Sequence, residues 1–212
     1  MITPANTLAL IVAYLLGSVP SAVWMGKFFY GTDVREYGSG NAGATNTFRV
    51  LGWKAGLPVL ILDIAKGWLA VKIAWLSGLY LPHSQQLINF ELALGISALA
   101  GHVFPVFAGF RGGKGVATLL GVLIAIHPWA ALWCAGIFTV MLLITHYVSL
   151  GSMVAALAFP FIVMLIYKET LPTVNLFSMA VSILVLTTHQ KNIERLLRGK
   201  ESKVAFLAGK KK

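Results

Sequence analysis

Gly112-Gly113-Lys114-Gly115 places one ammonium among three glycines, between two long apolar stretches. Glycine lets backbone approach a ligand closely, and backbone N–H groups beside a fixed cation form an anion cradle. The stretch mimics a nucleotide phosphate loop but departs from it twice. Gly115 stands where Ser or Thr would hold magnesium, and Ala108 stands where the first glycine belongs. Nucleotide chemistry is therefore excluded, and neither a metal nor a cofactor is expected. Lys114 at a helix start can still hold an anion, helped by unpaired N–H groups and the helix dipole. The plain alternative is a basic anchor with turn glycines, but this leaves three glycines around one lysine unexplained.

Gly38 to Arg49 is a second polar cluster, with Ser39, Asn41, Thr45, Asn46 and Arg49 among small residues. Its Gly38, Gly40 and Gly43 match the dinucleotide fingerprint by accident, since no strand or βαβ unit surrounds them. Hydroxyls, amides and one guanidinium suit the several oxygens of a phosphate or glycerol head group. An ordinary turn-rich loop is the competing reading. His189 and Asn192, three apart at the end of an apolar run, share one helical face and form a candidate working pair. Ser149 belongs to a polar patch with Thr145, His146, Gly151 and Ser152. Asp63 and Lys66 can pair inside an apolar helix, either for function or to fix packing. His102 and His146 read as structural, and Cys134 as a packing residue.

These clusters must be positioned by helices that a bilayer solvates. Of the 212 residues, 58% are hydrophobic and 11% charged, against about 25% charged in a soluble domain. Seven spans fit: 5–26, 55–76, 90–108, 116–127, 129–147, 152–167 and 172–189. The fourth is short, covering about 18 Å of a hydrocarbon core about 30 Å thick. No Lys or Arg precedes the first span, so it is expected to remain attached rather than act as a cleaved signal.

Lys27, Arg35, Arg49, Lys54, Arg111, Lys114 and a basic tail over 198–212 put those segments in the cytoplasm, with the N-terminus outside. That parity predicts one face for the 27–54 loop, the 109–115 loop, Ser149 and the segment after His189. The fold class is therefore all-α: a polytopic membrane protein, one domain over 1–212, its tail without fixed structure. The net charge of +10 reads as attraction to anionic lipid, and nucleic acid is not expected as a partner.

Three separated motifs together resemble one family. They are Ser39-Gly-Asn-Ala-Gly-Ala-Thr-Asn46 with Arg49; Gly101-His102-x-x-Pro105-x-Phe107-x-x-Phe110-x-Gly-Gly-Lys-Gly-Val-Ala-Thr118; and His189-x-x-Asn192-Ile-x-Arg195. Asp63-Ile-x-Lys66-Gly67 and Ser149-Leu-Gly151 fit the same likeness. The family is the bacterial acyl-phosphate:glycerol-3-phosphate acyltransferases, integral membrane enzymes of phospholipid synthesis.

The resemblance implies acyl transfer from acyl phosphate to the 1-hydroxyl of glycerol 3-phosphate, at the cytoplasmic face of the bacterial inner membrane. A soluble enzyme would supply the acyl phosphate. Ser39, His189 and Asn192 would be catalytic. Asn41, Asn46, Arg49, Gly112, Gly113, Lys114, Gly115 and Ser149 would bind substrate. The base is either His189 or a substrate phosphate oxygen. Glu194, five residues after His189, is read as an ion-pair partner of Arg195 rather than part of a His-x4-acid signature. A transporter of phosphorylated solutes is the rival class, but it would need polar groups along a mid-membrane path.

Overall fold

The computed structural model describes residues 3–204, which form helices and turns with no strand among the described residues. Contacts divide the chain into two compact units, Met1–His127 and Pro128–Lys212. The first contains α1 (Pro4–Ser18), α2 (Ser21–Tyr30), α3 (Ala44–Leu51), α4 (Trp53–Leu76), α5 (Gln85–Val103) and α6 (Val116–Ile126). The second contains α7 (Pro128–Thr145), α8 (Val148–Phe161), α9 (Pro172–Thr188) and α10 (Gln190–Leu197).

Local sequence explains the boundaries. Thr3 caps α1 by accepting from the Asn6 N–H at 3.2 Å, and Ser84 caps α5 by accepting from Leu87 at 3.1 Å. The segment expected as one span over 5–26 breaks at Val19-Pro20 into α1 and α2, bent by 43°. Pro20 has no N–H to continue the helical ladder. Pro160 lies near the end of α8, which opens into a π-helical turn at Ile162–Ile166.

In the first unit, small residues let helices approach closely, as apolar surroundings favour. A Cβ on Gly121 would collide with the Ile64 carbonyl oxygen, and one on Gly67 with that of Thr118, so α4 and α6 cross nearly backbone to backbone. Ala9, Ala13, Ala70, Ala74, Leu94 and Ala98 form the core between α1, α4 and α5. The Ser97 hydroxyl donates across that interface to the Leu10 carbonyl at 2.7 Å. In the second unit, Ser182 on α9 donates to the Ala156 carbonyl on α8 at 2.6 Å, and Phe159 meets Phe177 edge to face.

All seven apolar segments are helical. Three stretches are long and apolar enough to cross a bilayer by themselves: Gln85–Ala108, Pro128–Thr145 and Val148–Ile166. The bent pairs α1–α2 and α9–α10, the latter at 60°, raise the number to five. Helix α4 has the length but carries Asp63, Lys66 and Lys72. Helix α6 is apolar but only 11 residues long. Leu132, Trp133, Val140, Leu143 and Ile144 expose large apolar surface on α7, the pattern of a lipid-facing helix.

The α4–α6 crossing yields the first prediction. Gly121→Val should destabilise the protein by about 1–3 kcal/mol through overpacking. Gly136→Ala should not, because nothing lies within 4 Å of its added Cβ. Thermal unfolding in detergent checks this, and equal melting of the two variants would remove the crossing from the account.

Candidate active site

In the first unit, the chain leaves α2 through Gly31 and makes a short 3-10 turn at Val34–Glu36. Asp33 opens that turn, its Oδ1 accepting from the Arg35 N–H at 3.0 Å and from Arg35 Nε at 3.0 Å. The guanidinium holds the Asp33 carboxyl well below the usual carboxylate range, although burial opposes the effect. Arg35 Nη1 then donates to the Ala108 carbonyl at 2.8 Å and ties this turn to the start of the glycine-lysine loop.

Asn46, 1% exposed, staples the rest of the loop. Its Nδ2 donates to the Val34 and Tyr37 carbonyls at 2.7 and 3.1 Å. Its Oδ1 accepts from the Ser39 N–H at 2.8 Å, the Ser39 hydroxyl at 3.1 Å and Arg49 Nη1 at 3.4 Å. Asn46 thus brings Ser39 and Arg49 together while its own amide is fully engaged by the protein. Gly38 has φ +62, and a side chain there would strike Asn46 Oδ1. Ser39 and Arg49 are exposed and Asn41 is half-buried.

The glycine-lysine loop folds back on the end of α5. Gly112 and Gly113 donate their N–H groups to the Val103 and His102 carbonyls, both at 3.2 Å. Those carbonyls end a helix and require donors. The two amides are therefore not turned toward a ligand, contrary to the simplest picture of the cradle. The first-turn N–H groups of α6, which follow Lys114 and Gly115, are the ones without an intrahelical acceptor. A Cβ on Gly113 would lie 3.2 Å from the Ala42 carbonyl oxygen, so the two loops adjoin. Lys114 is half-buried.

In the second unit, His189 sits at the α9–α10 bend and is 3% exposed. Its Nδ1 lies 2.7 Å from the Val185 carbonyl, which can only accept. Nδ1 therefore carries the proton, and Nε2 is the lone-pair nitrogen of the neutral ring. Helix α10 ends in a Schellman motif: Gly199, at φ +64, donates to Leu196 at 3.0 Å and Lys200 donates to Arg195 at 2.7 Å.

That reversal delivers Glu201 onto three motif residues. Its Oε1 accepts from the Ser149 hydroxyl at 2.7 Å and Asn192 Nδ2 at 2.6 Å, and its Oε2 from Arg195 Nε at 2.7 Å. Burial opposes ionisation of Glu201, but these three donors outweigh it and hold the carboxyl below its usual range. Arg195 therefore pairs with Glu201 and not with Glu194. The latter pairs with Arg198 at 2.7 Å, one helical turn away. The described part of the basic tail is anchored by these contacts and by Val204, whose N–H meets the His146 carbonyl at 3.0 Å. Lys210, Lys211 and Lys212 lie outside the described residues.

Sequence reasoning missed Arg35 and Glu201. An Asp-x-Arg turn and a single acid after Gly199 were the available signals.

Long apolar helices carrying polar, cation-bearing loops define an integral membrane protein with a candidate site for an anion. The family model described as glycerol-3-phosphate acyltransferase matches residues 7–199. A glycerol-3-phosphate acyltransferase from Enterococcus faecalis is 44% identical, the match covering 93% of this chain and 91% of that protein. One from Listeria welshimeri is 43% identical, covering 93% and 96%. The crystal structure of PlsY, an integral membrane glycerol 3-phosphate acyltransferase in its glycerol 3-phosphate form, superposes with TM-score 0.83 at 35% identity, covering 96% of this chain and 97% of that one. Its lysophosphatidic acid form gives TM-score 0.79 at 34% identity, covering 95% and 96%. The chain belongs to the glycerol-3-phosphate acyltransferase family, and it is an integral membrane enzyme.

The Glu201 contacts generate a second prediction. Glu201→Ala removes one acceptor from two buried side chains and a guanidinium, which should cost about 1–3 kcal/mol of stability. A carboxyl held below its ordinary value stabilises the fold above that value, near 4.5, and loses the contribution as pH falls through its folded value. Wild type should therefore lose more melting temperature than the variant between pH 6 and pH 4. Parallel pH profiles would show that the carboxylate contributes nothing.

Proposed function

We propose that the protein transfers a fatty acyl group from acyl phosphate to the 1-hydroxyl of sn-glycerol 3-phosphate, giving 1-acyl-glycerol 3-phosphate and inorganic phosphate. The carrying observation is the adjacency of two loops in the first unit, one presenting Arg49 and the other Lys114, where Gly113 meets Ala42. A reaction whose two substrates each bear a phosphate needs two such anion sites. The glycerol 3-phosphate and lysophosphatidic acid forms of PlsY support the acceptor and the product. The donor is argued from chemistry. An acyl phosphate is an activated anhydride, so positioning and charge stabilisation suffice, and the described residues offer no thiol nucleophile beside a base.

In the proposed reaction the acceptor hydroxyl oxygen attacks the acyl carbon, and the bond from that carbon to the phosphate oxygen breaks. Phosphate leaves with the electron pair. The hydroxyl proton passes to His189 Nε2 or to a phosphate oxygen. Lys114, Gly115 and the α6 N-terminus hold one phosphate, and Arg49 holds the other. Ser39, Asn41 and Asn192 orient the glycerol hydroxyls or the developing oxyanion. Asn46, Gly112, Gly113 and Ser149 act by shaping these groups. Seven spans, with the N-terminus outside, would turn the motif-bearing loops to the cytoplasmic face of the bacterial inner membrane. A soluble enzyme would deliver the acyl phosphate there.

Purified protein given labelled glycerol 3-phosphate should form labelled product from acyl phosphate but not from acyl-CoA or acyl-carrier protein. Equal use of a thioester would overturn the donor assignment. Lys114→Ala should lower kcat/KM by about 10²–10³, through the KM of the substrate whose phosphate it holds. Arg49→Ala should raise KM for glycerol 3-phosphate about 10-fold or more, with less effect on acyl phosphate. Equal losses on both substrates would reverse the phosphate assignment. Cysteines placed at Ser39 and Asn192 should both react with a membrane-impermeant reagent from the cytoplasmic side, and labelling from opposite sides would refute the topology.

A further inference from the structure

Behind the glycine-lysine loop lies a buried polar cluster that the proposed reaction does not use. Asp63 and Lys66 on α4 form an ion pair at 2.8 Å, and they are 1% and 6% exposed. Asp63 Oδ1 also accepts from the Ser21 hydroxyl at 2.9 Å, while Oδ2 has no hydrogen-bond partner among the described residues. Lys66 Nζ donates to the Val19 carbonyl at 2.8 Å, inside the break between α1 and α2. His102 Nδ1 lies 3.0 Å from the Thr118 hydroxyl and 3.8 Å from Asp63 Oδ1.

The cluster reaches the loop through His102. The His102 carbonyl accepts the Gly113 N–H at 3.2 Å, and its Nε2 fills the space that a Cβ on Gly113 would take. One residue thus sets both the backbone and the packing of the position next to Lys114. A cavity of about 10 Å³ lies here, bordered by Ser21, Lys66, His102, Ala42, Gly112 and Gly113. It has room for about one water molecule, and the side chains of Asp63, Lys66 and His102 are buried, so a substrate does not reach them in this structure. Their influence on the reaction must pass through the loop.

Stability alone is a weak reason for such a pair. Replacing a buried ion pair by neutral side chains of similar volume is often harmless, whereas removing one partner is not. The outward contacts are more informative. Ser21 and Val19 bind the cluster at the root of α2, Thr118 binds it on α6, and His102 binds it at the root of the loop.

We propose that His102, held by Thr118 and the Asp63–Lys66 pair, is a positioning residue that sets where Lys114 presents its ammonium. This rests on the reading of the loop as a phosphate site.

The test compares Lys114→Arg, His102→Gln, Thr118→Val and the double variant Asp63→Asn with Lys66→Met. Each is assayed for its melting temperature, kcat, and KM for both substrates. Lys114→Arg identifies the substrate served by the loop as the one whose KM rises. His102→Gln, Thr118→Val and the double variant should raise that same KM at least 10-fold, leaving the other KM and kcat within about 3-fold. A purely structural role lowers the amount of active protein and so moves kcat and the melting temperature, but not one KM selectively. Unchanged KM values in folded Thr118→Val and in the double variant would overturn the proposal. Thr118→Val removes one hydroxyl and no charge, so it remains decisive if His102→Gln does not fold. If instead Lys114→Arg leaves both KM values unchanged, it is the phosphate-site reading that fails.

Discussion

Polar backbone that leaves a helix within an apolar protein must find its partners inside the protein, because hydrocarbon offers none. Both loops of the first unit obey this constraint, and both do so with very few groups. One amide side chain, Asn46, satisfies two carbonyls and one N–H of the first loop. The exposed carbonyls at the end of α5 take the Gly112 and Gly113 amides of the second. Arg35 joins the two through the Ala108 carbonyl. With the backbone satisfied in this way, the loops hold their shape around Arg49 and Lys114 without a bound anion to fix them.

The same economy governs the second unit. A carboxylate carried by a Schellman turn meets three donors from two helices and closes the polar end of α8 and α10. At the bend the Val185 carbonyl accepts from the His189 N–H at 3.1 Å and also meets the imidazole Nδ1 at 2.7 Å, and the second contact sets the tautomer. A backbone carbonyl therefore decides which ring nitrogen can accept a proton.

Much of this was legible in the residues. Apolar runs marked every long helix, and the three motifs marked the polar loops, because both signals are local. The bend at Val19-Pro20 escaped, since a proline in a hydrophobic run is compatible with either a kink or a break. The role of Asn46 escaped because its acceptors lie 9 and 12 residues back in the chain. Arg35 and Glu201 escaped for the same reason at greater range, with partners 73 and 52 residues away. The engagement of the Gly112 and Gly113 amides by the end of α5 escaped as well, because those carbonyls lie 9 and 11 residues back in the chain.

The placement of Glu201 also bears on how the molecule is made. Ser149, Asn192 and Arg195 all precede it in the chain, so during synthesis these donors emerge before the carboxylate that gathers them. Until residue 201 appears, the hydrophobic helices of the second unit can enter the bilayer while its polar edge stays hydrated and unassembled. This edge therefore cannot take its final arrangement before residue 201 has been added to the chain.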